Sequence, residues 1–310
     1  MEFNGFLNVL KPPGVTSHDI VKHIRFLAPG VKVGHGGTLD PGAAGVLPIL
    51  MGKATRLSSY LVDLTKIYRA ELYLGVNTDT EDSSGEVLSR TEVPSYLEKA
   101  EIENALQSFQ GELLQLPPMY AAVKEKGKKL YDYARSGVTV ERTPREVNIY
   151  STTFIDYFPP HRIIFDVECS KGTYIRTLCA QIGEFLGLGG HMSFLVRKGV
   201  GPLSLTQSFS LKEIEYAVQQ GKLHEILLPL DIIFGHLEPL CLDYKNVRAL
   251  SQGQKLPFNK IASFINKQNE VVDEKLAPVY TTQREFVLLA RWIKKDSASF
   301  ILKPEKVFNL

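Results

Sequence analysis

The segment KVGHGGTLDPGAAGVL, residues Lys32–Leu47, contains five glycines, one histidine and one aspartate, Asp40. Glycines on both sides of Asp40 let the backbone come close to a ligand. Asp-Pro-Gly is also strong turn chemistry, so Asp40 could be a turn residue and no more. The segment fails as a Rossmann fingerprint, because Leu39 stands where the third glycine belongs. GVLPILMGKA fails as a P-loop, because it has two residues too many and an alanine after Lys53.

Arg176 favours a chemical role for Asp40. It follows the apolar segment IIFDVECS, which is typical of a buried strand, and precedes a strong amphipathic helical pattern. If Thr173 caps that helix, Arg176 lies in its first turn, where a cation opposes the helix dipole at about 0.3–1 kcal/mol. Locally unfavourable choices tend to mark functional sites. A cation placed there could hold a carboxylate ionised from across the site.

Hydrophobic periodicity predicts a mixture of helices and strands before residue 235. SHDIVKHIRFLA is typical of a helix with Ser17 as N-cap. KIYRAELYLG alternates like a strand, with Tyr68, Ala70 and Leu72 on one face. After PLDIIFGH the pattern becomes short strand-like segments broken by Gly and Pro, which indicate a small β-barrel.

Composition limits the classes of protein that fit. The chain has 310 residues, 44% of them hydrophobic, and a formal net charge of +2. Its longest apolar runs fall far short of the roughly 20 residues of a membrane helix, and we expect no signal peptide. Cys169, Cys179 and Cys241 form no zinc-like or disulfide-like pattern, which favours a reducing cytoplasm and no metal.

Two segments of the chain are basic. Residues 119–148 carry 7 Lys/Arg against 4 Asp/Glu, and residues 238–310 carry 12 against 8. Such segments can be a nucleic-acid footprint, or they can be ordinary solvated surface. The first segment is poor in large aliphatic residues and looks like an excursion from the core.

Six segments, in order along nearly the whole chain, resemble motifs of the TruB family of tRNA pseudouridine synthases. They are LNVLKPPGVTSHDIV, VGHGGTLDPGAAGVL, KIYRAELYLG with NTDTEDSSG, QLPPMYAAVKEKGKKLYDYARSG, CSKGTYIRTL, and the tail from GQKLPF to LKPEKVF. GLGGHMSFLVRK departs from the family pattern, with Gly-Gly before the histidine and Val-Arg-Lys where two arginines are common. The departure bears on the contacts of Arg197 and Lys198, and not on the chemistry.

The resemblance implies roles for individual residues. Asp40 is the catalytic aspartate, Arg176 pairs with it, and Tyr68 packs on the target base. The implied substrate-binding residues are His35, Tyr174, Leu195, Lys11, Pro12, Lys124, Lys128, Lys129, Arg142 and Arg145. The implied reaction breaks the glycosidic bond of a uridine and rejoins the base through C5. Asp40 could attack the base, attack the sugar or remove a sugar proton.

The resemblance also implies an α+β pseudouridine synthase fold with a mixed, largely antiparallel central sheet over residues 1–235. An RNA-gripping excursion interrupts it at about 121–148, and a PUA-like RNA-binding β-barrel follows at 236–310. The implied substrate is the T-stem-loop of tRNA, modified at position 55 after base flipping. No cofactor or metal is implied, because the reaction has no redox step and transfers no external group. We expect a cytoplasmic monomer without membrane association.

Three alternatives stay open at this point. A base-exchanging tRNA transglycosylase can combine a nucleophilic aspartate with a PUA domain, but that class is expected to carry a cysteine-rich zinc site. A non-catalytic tRNA-binding or tRNA-folding protein could use the same surface. A guide-dependent RNA pseudouridine synthase subunit would share the fold and work inside a multi-protein particle.

Overall fold

The computed structural model describes residues 3–121, 123–125, 127–138, 140–264, 271–295 and 299–308. The helices in these ranges are α1 (Ser17–Leu27), α2 (Ser58–Asp63), α3 (Lys99–Gln107), α4 (Leu130–Arg135), α5 (Ile175–Phe185), α6 (Leu211–Gln219), α7 (Tyr244–Ser251) and α8 (Phe258–Ile261). Within the described ranges, no helix is long and apolar enough to cross a bilayer.

The strands are β1 (Gly5–Lys11), β2 (Val33–His35), β3 (Ala44–Met51), β4 (Lys66–Leu74), β5 (Val76–Thr78), β6 (Val87–Arg90), β7 (Gly111–Gln115), β8 (Lys124–Glu125), β9 (Lys128–Lys129), β10 (Arg145–Phe158), β11 (Arg162–Cys169), β12 (Gly190–Val200), β13 (Leu203–Ser204), β14 (Leu240–Leu242), β15 (Leu256–Pro257), β16 (Leu276–Thr281), β17 (Phe286–Lys294) and β18 (Phe300–Val307). The central sheet has the order β1-β3-β12-β4-β11-β10-β7, with β2 beside β3 and β13 beside β12. Its pairs are antiparallel except β12 with β3, which confirms the mixed, largely antiparallel sheet.

The alternation predicted for β4 is present. Ala70, Leu72 and Leu74 are fully buried in the main core, whereas Arg69 points to the other face and pairs with Asp166 of β11 at 2.7 Å. Because β12 and β11 flank β4, the sheet brings together three segments that are far apart in sequence. These are the glycine segment before β3, the middle of β12 and the start of α5 after β11.

The predicted N-cap of α1 is wrong by one residue. Thr16 is the cap, and it forms a capping box with Asp19. Ser17 is buried instead, and its hydroxyl bonds both the N–H and the carbonyl of Leu39, at 2.9 and 3.2 Å. Ser17 therefore ties α1 to the loop that carries Asp40.

The C-terminal strands form a second sheet in the order β14-β16-β17-β18-β15, with its own apolar core. The path is an open half-barrel, which agrees with the predicted PUA-like β domain. Between β7 and β10 the chain leaves the central sheet, and its described part forms the β8–β9 hairpin and α4. The exact boundaries proposed for the domains and for the excursion stay predictions.

A shared apolar cluster joins the C-terminal sheet to the central sheet. Phe286 and Phe308 of the C-terminal part pack in one cluster with Phe6 of β1 and with Phe234. The Phe286 ring lies 5.5 Å from Phe308 and 6.2 Å from Phe234, centroid to centroid. Arg56 lies 5.3 Å above the Phe308 ring. The two sheets therefore bury part of their apolar surface against each other.

We expect Phe286→Ala to destabilise the two sheets together, because the side chain belongs to the cluster that both share. Loss of a buried Phe costs about 3–5 kcal/mol. Calorimetry of the full chain should show one unfolding transition, shifted to lower temperature. Phe26→Ala is the matched control, since Phe26 is 81% exposed on α1 and should leave the transition unchanged. Two transitions, of which only one moves, would contradict the shared core.

Candidate active site

Asp40 lies in the loop between β2 and β3. The Ala43 N–H donates to the Asp40 carbonyl at 3.0 Å, so Asp40 does open a turn. The Gly14 N–H donates to the Pro41 carbonyl at 2.9 Å and ties the turn to the segment after β1. The turn leaves the Asp40 side chain 43% exposed. The turn interpretation and the chemical interpretation of Asp40 are therefore compatible.

Lys11 of β1 stabilises the Asp40 loop by hydrogen bonds to its backbone. It is fully buried, and its Nζ donates to the carbonyls of Ala43, Pro12 and Pro41 at 2.7, 3.0 and 3.2 Å. Burial lowers the pKa of Lys11, while the charge of Asp40 acts in the opposite direction. Pro12, which the resemblance implies as a substrate-binding residue together with Lys11, is exposed and contributes its carbonyl to this contact.

Arg197 of β12 also stabilises the Asp40 loop by hydrogen bonds to backbone carbonyls. It is 1% exposed, and its guanidinium donates to the carbonyls of Val46, Gly37 and Thr38 at 2.7, 3.1 and 3.3 Å. Among the described residues no carboxylate forms an ion pair with it. Three backbone carbonyls thus stabilise a buried cation, and the cation in turn fixes the course of the loop.

Arg176 joins Asp40 to a second carboxylate. It is the second residue of α5, whose N-cap is Tyr174, one residue later than the predicted Thr173. Its Nε lies 3.2 Å from Asp40 Oδ2, and its Nη1 lies 3.4 Å from Asp82 Oδ2. The Arg176 side chain is only 8% exposed. The two carboxylates offset the unfavourable position of this cation at a helix N-terminus, and the ion pair fixes the direction of Asp40.

Asp82 is held in place by the turn between β5 and β6. Its Oδ1 accepts hydrogen bonds from the Thr80 hydroxyl at 2.7 Å and from the Ser84 N–H at 2.9 Å. Burial acts to raise the pKa of Asp82, but the bonds from Ser84 and Thr80 and the charge of Arg176 outweigh burial and lower it. Asp82 is therefore an ionised partner of Arg176 at neutral pH.

Asp40 and Arg176 line a cleft of about 1010 Å³, named here the Asp40 cleft. Its walls are the first turn of α1, the loop around Asp40, the turn around Asp82 and the middle of β12. His35 and Leu195 line it as well, so four of the predicted site residues meet in one cavity. In the parts of the chain that are described, no group of three or more His, Cys, Asp or Glu side chains could hold a metal ion.

His35 lines the Asp40 cleft as an uncharged side chain. Burial lowers its pKa, and the charges of Arg197 and His18 lower it further, so the ring is neutral at pH 7. Its Nδ1 atom is buried and has no hydrogen-bond partner within the described ranges.

Tyr68 and Tyr174 are not among the described lining residues of the Asp40 cleft, although the charge of Asp40 acts on both hydroxyls and favours a higher pKa. Tyr68 of β4 is the cross-strand partner of Arg197. Burial raises the pKa of Tyr68 while the Arg197 charge acts against the rise, and the hydroxyl therefore stays protonated at neutral pH. Burial likewise raises the pKa of Tyr174, with Arg145 and Arg176 acting against it.

The basic residues of the excursion are not among the described lining of the Asp40 cleft. Arg142 donates to the Pro117 carbonyl at 2.9 Å, and the Lys128 Nζ lies 4.9 Å from the centre of the Tyr133 ring. Arg145 begins β10 and pairs with β7. The backbones of Lys124 and Lys129 pair in the β8–β9 hairpin, and their side chains, like all of Lys126, lie outside the described residues.

Two residues of the site were not assigned from the sequence. The resemblance assigns no role to Asp82, although its turn is dense in Asp, Ser and Thr. The departure from the family pattern gives Arg197 no assigned contact, although an arginine inside the apolar strand MSFLVRKGV is itself a signal of a buried polar contact.

Comparison with known proteins identifies the family. The N-terminal domain of TruB family pseudouridylate synthases matches residues 25–175, and the C-terminal domain of tRNA pseudouridylate synthase B matches residues 176–234. A tRNA pseudouridine synthase B of Alkaliphilus oremlandii is 48% identical over 264 residues, 85% of this chain and 86% of its own. One of Moorella thermoacetica is 40% identical over 98% of this chain and 99% of its own.

The fold has solved counterparts. A crystal structure of a Cbf5-Nop10-Gar1 complex contains a chain that superposes with a TM-score of 0.75 at 27% identity. The superposition covers 98% of this chain and 84% of that chain. The match therefore extends over both the central sheet and the C-terminal sheet. With two domain matches in sequence order and full-length relatives at 40% identity or more, this chain belongs to the TruB family of pseudouridylate synthases.

Proposed function

We propose that this protein is a tRNA pseudouridine synthase that isomerises uridine to pseudouridine at position 55, in the T-loop. The observation that carries the proposal is the Asp40–Arg176 pair, at 3.2 Å, in a cleft of a TruB family chain. The names of the relatives, tRNA pseudouridine synthase B, support tRNA as the substrate. We further propose that the protein works as a cytoplasmic monomer.

Asp40 supplies the carboxylate that the reaction requires. The bond between N1 of uracil and C1′ of ribose breaks, the base turns, and C5 bonds to C1′ while the C5 proton leaves and N1 gains a proton. No atoms are gained or lost overall. A carboxylate can serve as nucleophile or as base in this sequence. Arg176 occupies one Asp40 oxygen, Oδ2, and so leaves the other oxygen for the substrate.

The uridine must leave its stack to reach Asp40, which costs a few kcal/mol. Stacking on an aromatic side chain returns about 1–3 kcal/mol per base, and we assign this part to Tyr68. His35, Tyr174 and Leu195 would hold the flipped nucleotide. The remainder would come from phosphate and shape contacts. We assign these contacts to the excursion and the C-terminal sheet, with Lys124, Lys128, Lys129, Arg142 and Arg145 as the basic residues.

The test is release of tritium from unmodified tRNA transcript labelled at uridine C5, with purified protein and no other component. We expect release from the wild-type transcript and none when cytidine replaces the uridine at position 55. A guide-dependent enzyme would stay inactive on the bare transcript. A transglycosylase would incorporate a labelled free base, and a binding protein would bind the tRNA without releasing tritium.

Asp82→Asn should slow the isomerisation by roughly 10- to 150-fold, because Arg176 then loses a charged partner. This range corresponds to the about 1.5–3 kcal/mol of a hydrogen bond to a charged group. Single-turnover tritium release measures the rate, and tRNA affinity should change little. Glu86→Gln is the control, because Glu86 lies on the same wall of the cleft and its carboxylate has no ion pair with Arg176 among the described residues. Equal rates for the two variants would contradict the role of Asp82.

A further inference from the structure

Phe194 is an exposed aromatic residue on the wall of the Asp40 cleft. It is 43% exposed, and it lines the cleft together with Asp40 and Arg176. Of the large apolar side chains that are exposed in the described structure, only Phe194 and Tyr120 line this cleft. Scattered exposed apolar residues need no explanation, but an aromatic ring inside a substrate cleft offers a surface to a ligand.

A β-bulge in β12 determines where Phe194 lies. Met192 pairs with Leu72 and Phe194 pairs with Glu71, so Ser193 is the extra residue of the bulge. Met192 and Leu195 are both buried although they are three positions apart, and Phe194 between them is exposed. Bulges beside active sites commonly redirect a side chain in this way.

Hydrogen bonds hold the bulge. The Ser193 hydroxyl donates to the Glu71 carbonyl at 3.0 Å and to its carboxylate at 2.7 Å. Ser83, in the turn that also holds Asp82, donates its hydroxyl to the Ser193 carbonyl at 3.1 Å and its N–H to the Met192 carbonyl at 3.2 Å. The Phe194 ring is therefore presented by a fixed backbone, which reduces the entropy lost when a ligand binds to it.

The size of the cleft leaves room beyond the target uridine. Pockets that hold a drug-sized ligand have volumes of roughly 300–1,000 Å³. At about 1010 Å³ the Asp40 cleft lies at the upper end of that range, and a single nucleoside does not fill it. We propose that Phe194 stacks on a second nucleobase of the RNA, adjacent in sequence to the target uridine. This inference rests on the proposed function, because it takes the bound RNA from it.

Measurements of RNA affinity test whether the Phe194 ring stacks on a base. RNA binding is measured for a T-stem-loop RNA in the Asp40→Asn background, where no turnover interferes. We expect Phe194→Ala to weaken binding by about 5- to 150-fold, the fold-change that corresponds to stacking on one base. The Phe194→Leu variant should bind the RNA as weakly as Phe194→Ala does. Phe194→Trp should bind it as tightly as the protein that keeps Phe194. An unchanged melting temperature verifies that the exposed side chain is not needed for folding.

A double-mutant cycle, which combines Phe194→Ala with removal of single bases from the RNA, identifies the base that stacks on Phe194. The nucleotides on the 5′ and 3′ sides of the target are made abasic, one at a time. At one of these positions, loss of the base should weaken binding to the Asp40→Asn protein and not to the Asp40→Asn/Phe194→Ala protein. Unchanged affinity of Phe194→Ala, or additive losses at both positions, would overturn the proposal. Failure of the proposed function would appear separately, as absent tritium release by the wild type.

Discussion

Asp40→Asn should lower the rate of uridine isomerisation by more than about 10³-fold and leave the affinity for tRNA within about threefold. The amide has nearly the size of the carboxylate, and its oxygen can still accept the bond from Arg176 Nε. It cannot act as a nucleophile or a base at neutral pH. The variant therefore separates the chemistry from the binding.

Single-turnover tritium release and filter binding on the same tRNA provide the two measurements for Asp40→Asn. Asp79→Asn is the matched control. Asp79 is an exposed carboxylate on the wall of the same cleft, and it accepts the backbone N–H of Glu86 at 2.8 Å instead of contacting Arg176. We expect the control to keep its rate within about threefold. If both variants lost activity equally, the general negative charge of the cleft, and not Asp40, would be responsible.

Gly45→Ala should destabilise the whole protein by at least about 3 kcal/mol. Gly45 is the second residue of β3, next to β12, and its φ of +109° is unfavourable for any residue with a side chain. A Cβ there would lie 2.7 Å from the backbone nitrogen of Arg197 and would clash with its carbonyl oxygen. The neighbouring atoms are backbone, so they cannot move aside without separating the two strands.

Thermal unfolding followed by circular dichroism measures this effect, and we expect a fall in Tm of at least about 5 °C for Gly45→Ala. Gly42→Ala is the control from the same loop. Its φ lies outside the left-handed region, and a Cβ there would meet nothing within 4 Å. Equal stability of the two variants would contradict the close contact between β3 and β12.

Short-range patterns predicted much of the fold, and the family resemblance predicted the central pair of the site. Alternation marked β4, and the amphipathic stripe marked α5. An arginine in a first helical turn is locally unfavourable and singled out Arg176, and the family resemblance implied that it pairs with Asp40. The structure places them at 3.2 Å. The capping error at Ser17 has the opposite cause, because a distant partner, Leu39, uses the hydroxyl that a local rule would assign to the helix end.

The other contacts of the site depend on which strands and helices lie side by side, and a local sequence pattern does not contain that information. Lys11 reaches the carbonyl of Ala43 across 32 positions, and Arg197 reaches that of Val46 across 151. Both are lysine or arginine side chains, which sequence rules assign to the surface. Only the strand order β1-β3-β12 makes them internal. The role of Asp82 likewise depends on α5 packing near the β5–β6 turn.

The two buried cations have a consequence for protein engineering. The course of the Asp40 loop is set by Lys11 and Arg197, which belong to strands outside the loop. Transplanting residues 32–47 into another scaffold would therefore transfer the aspartate without its geometry. A functional graft would need β1 and β12 as well, in their register with β3. The smallest portable unit of this site is a piece of sheet and not a sequence motif.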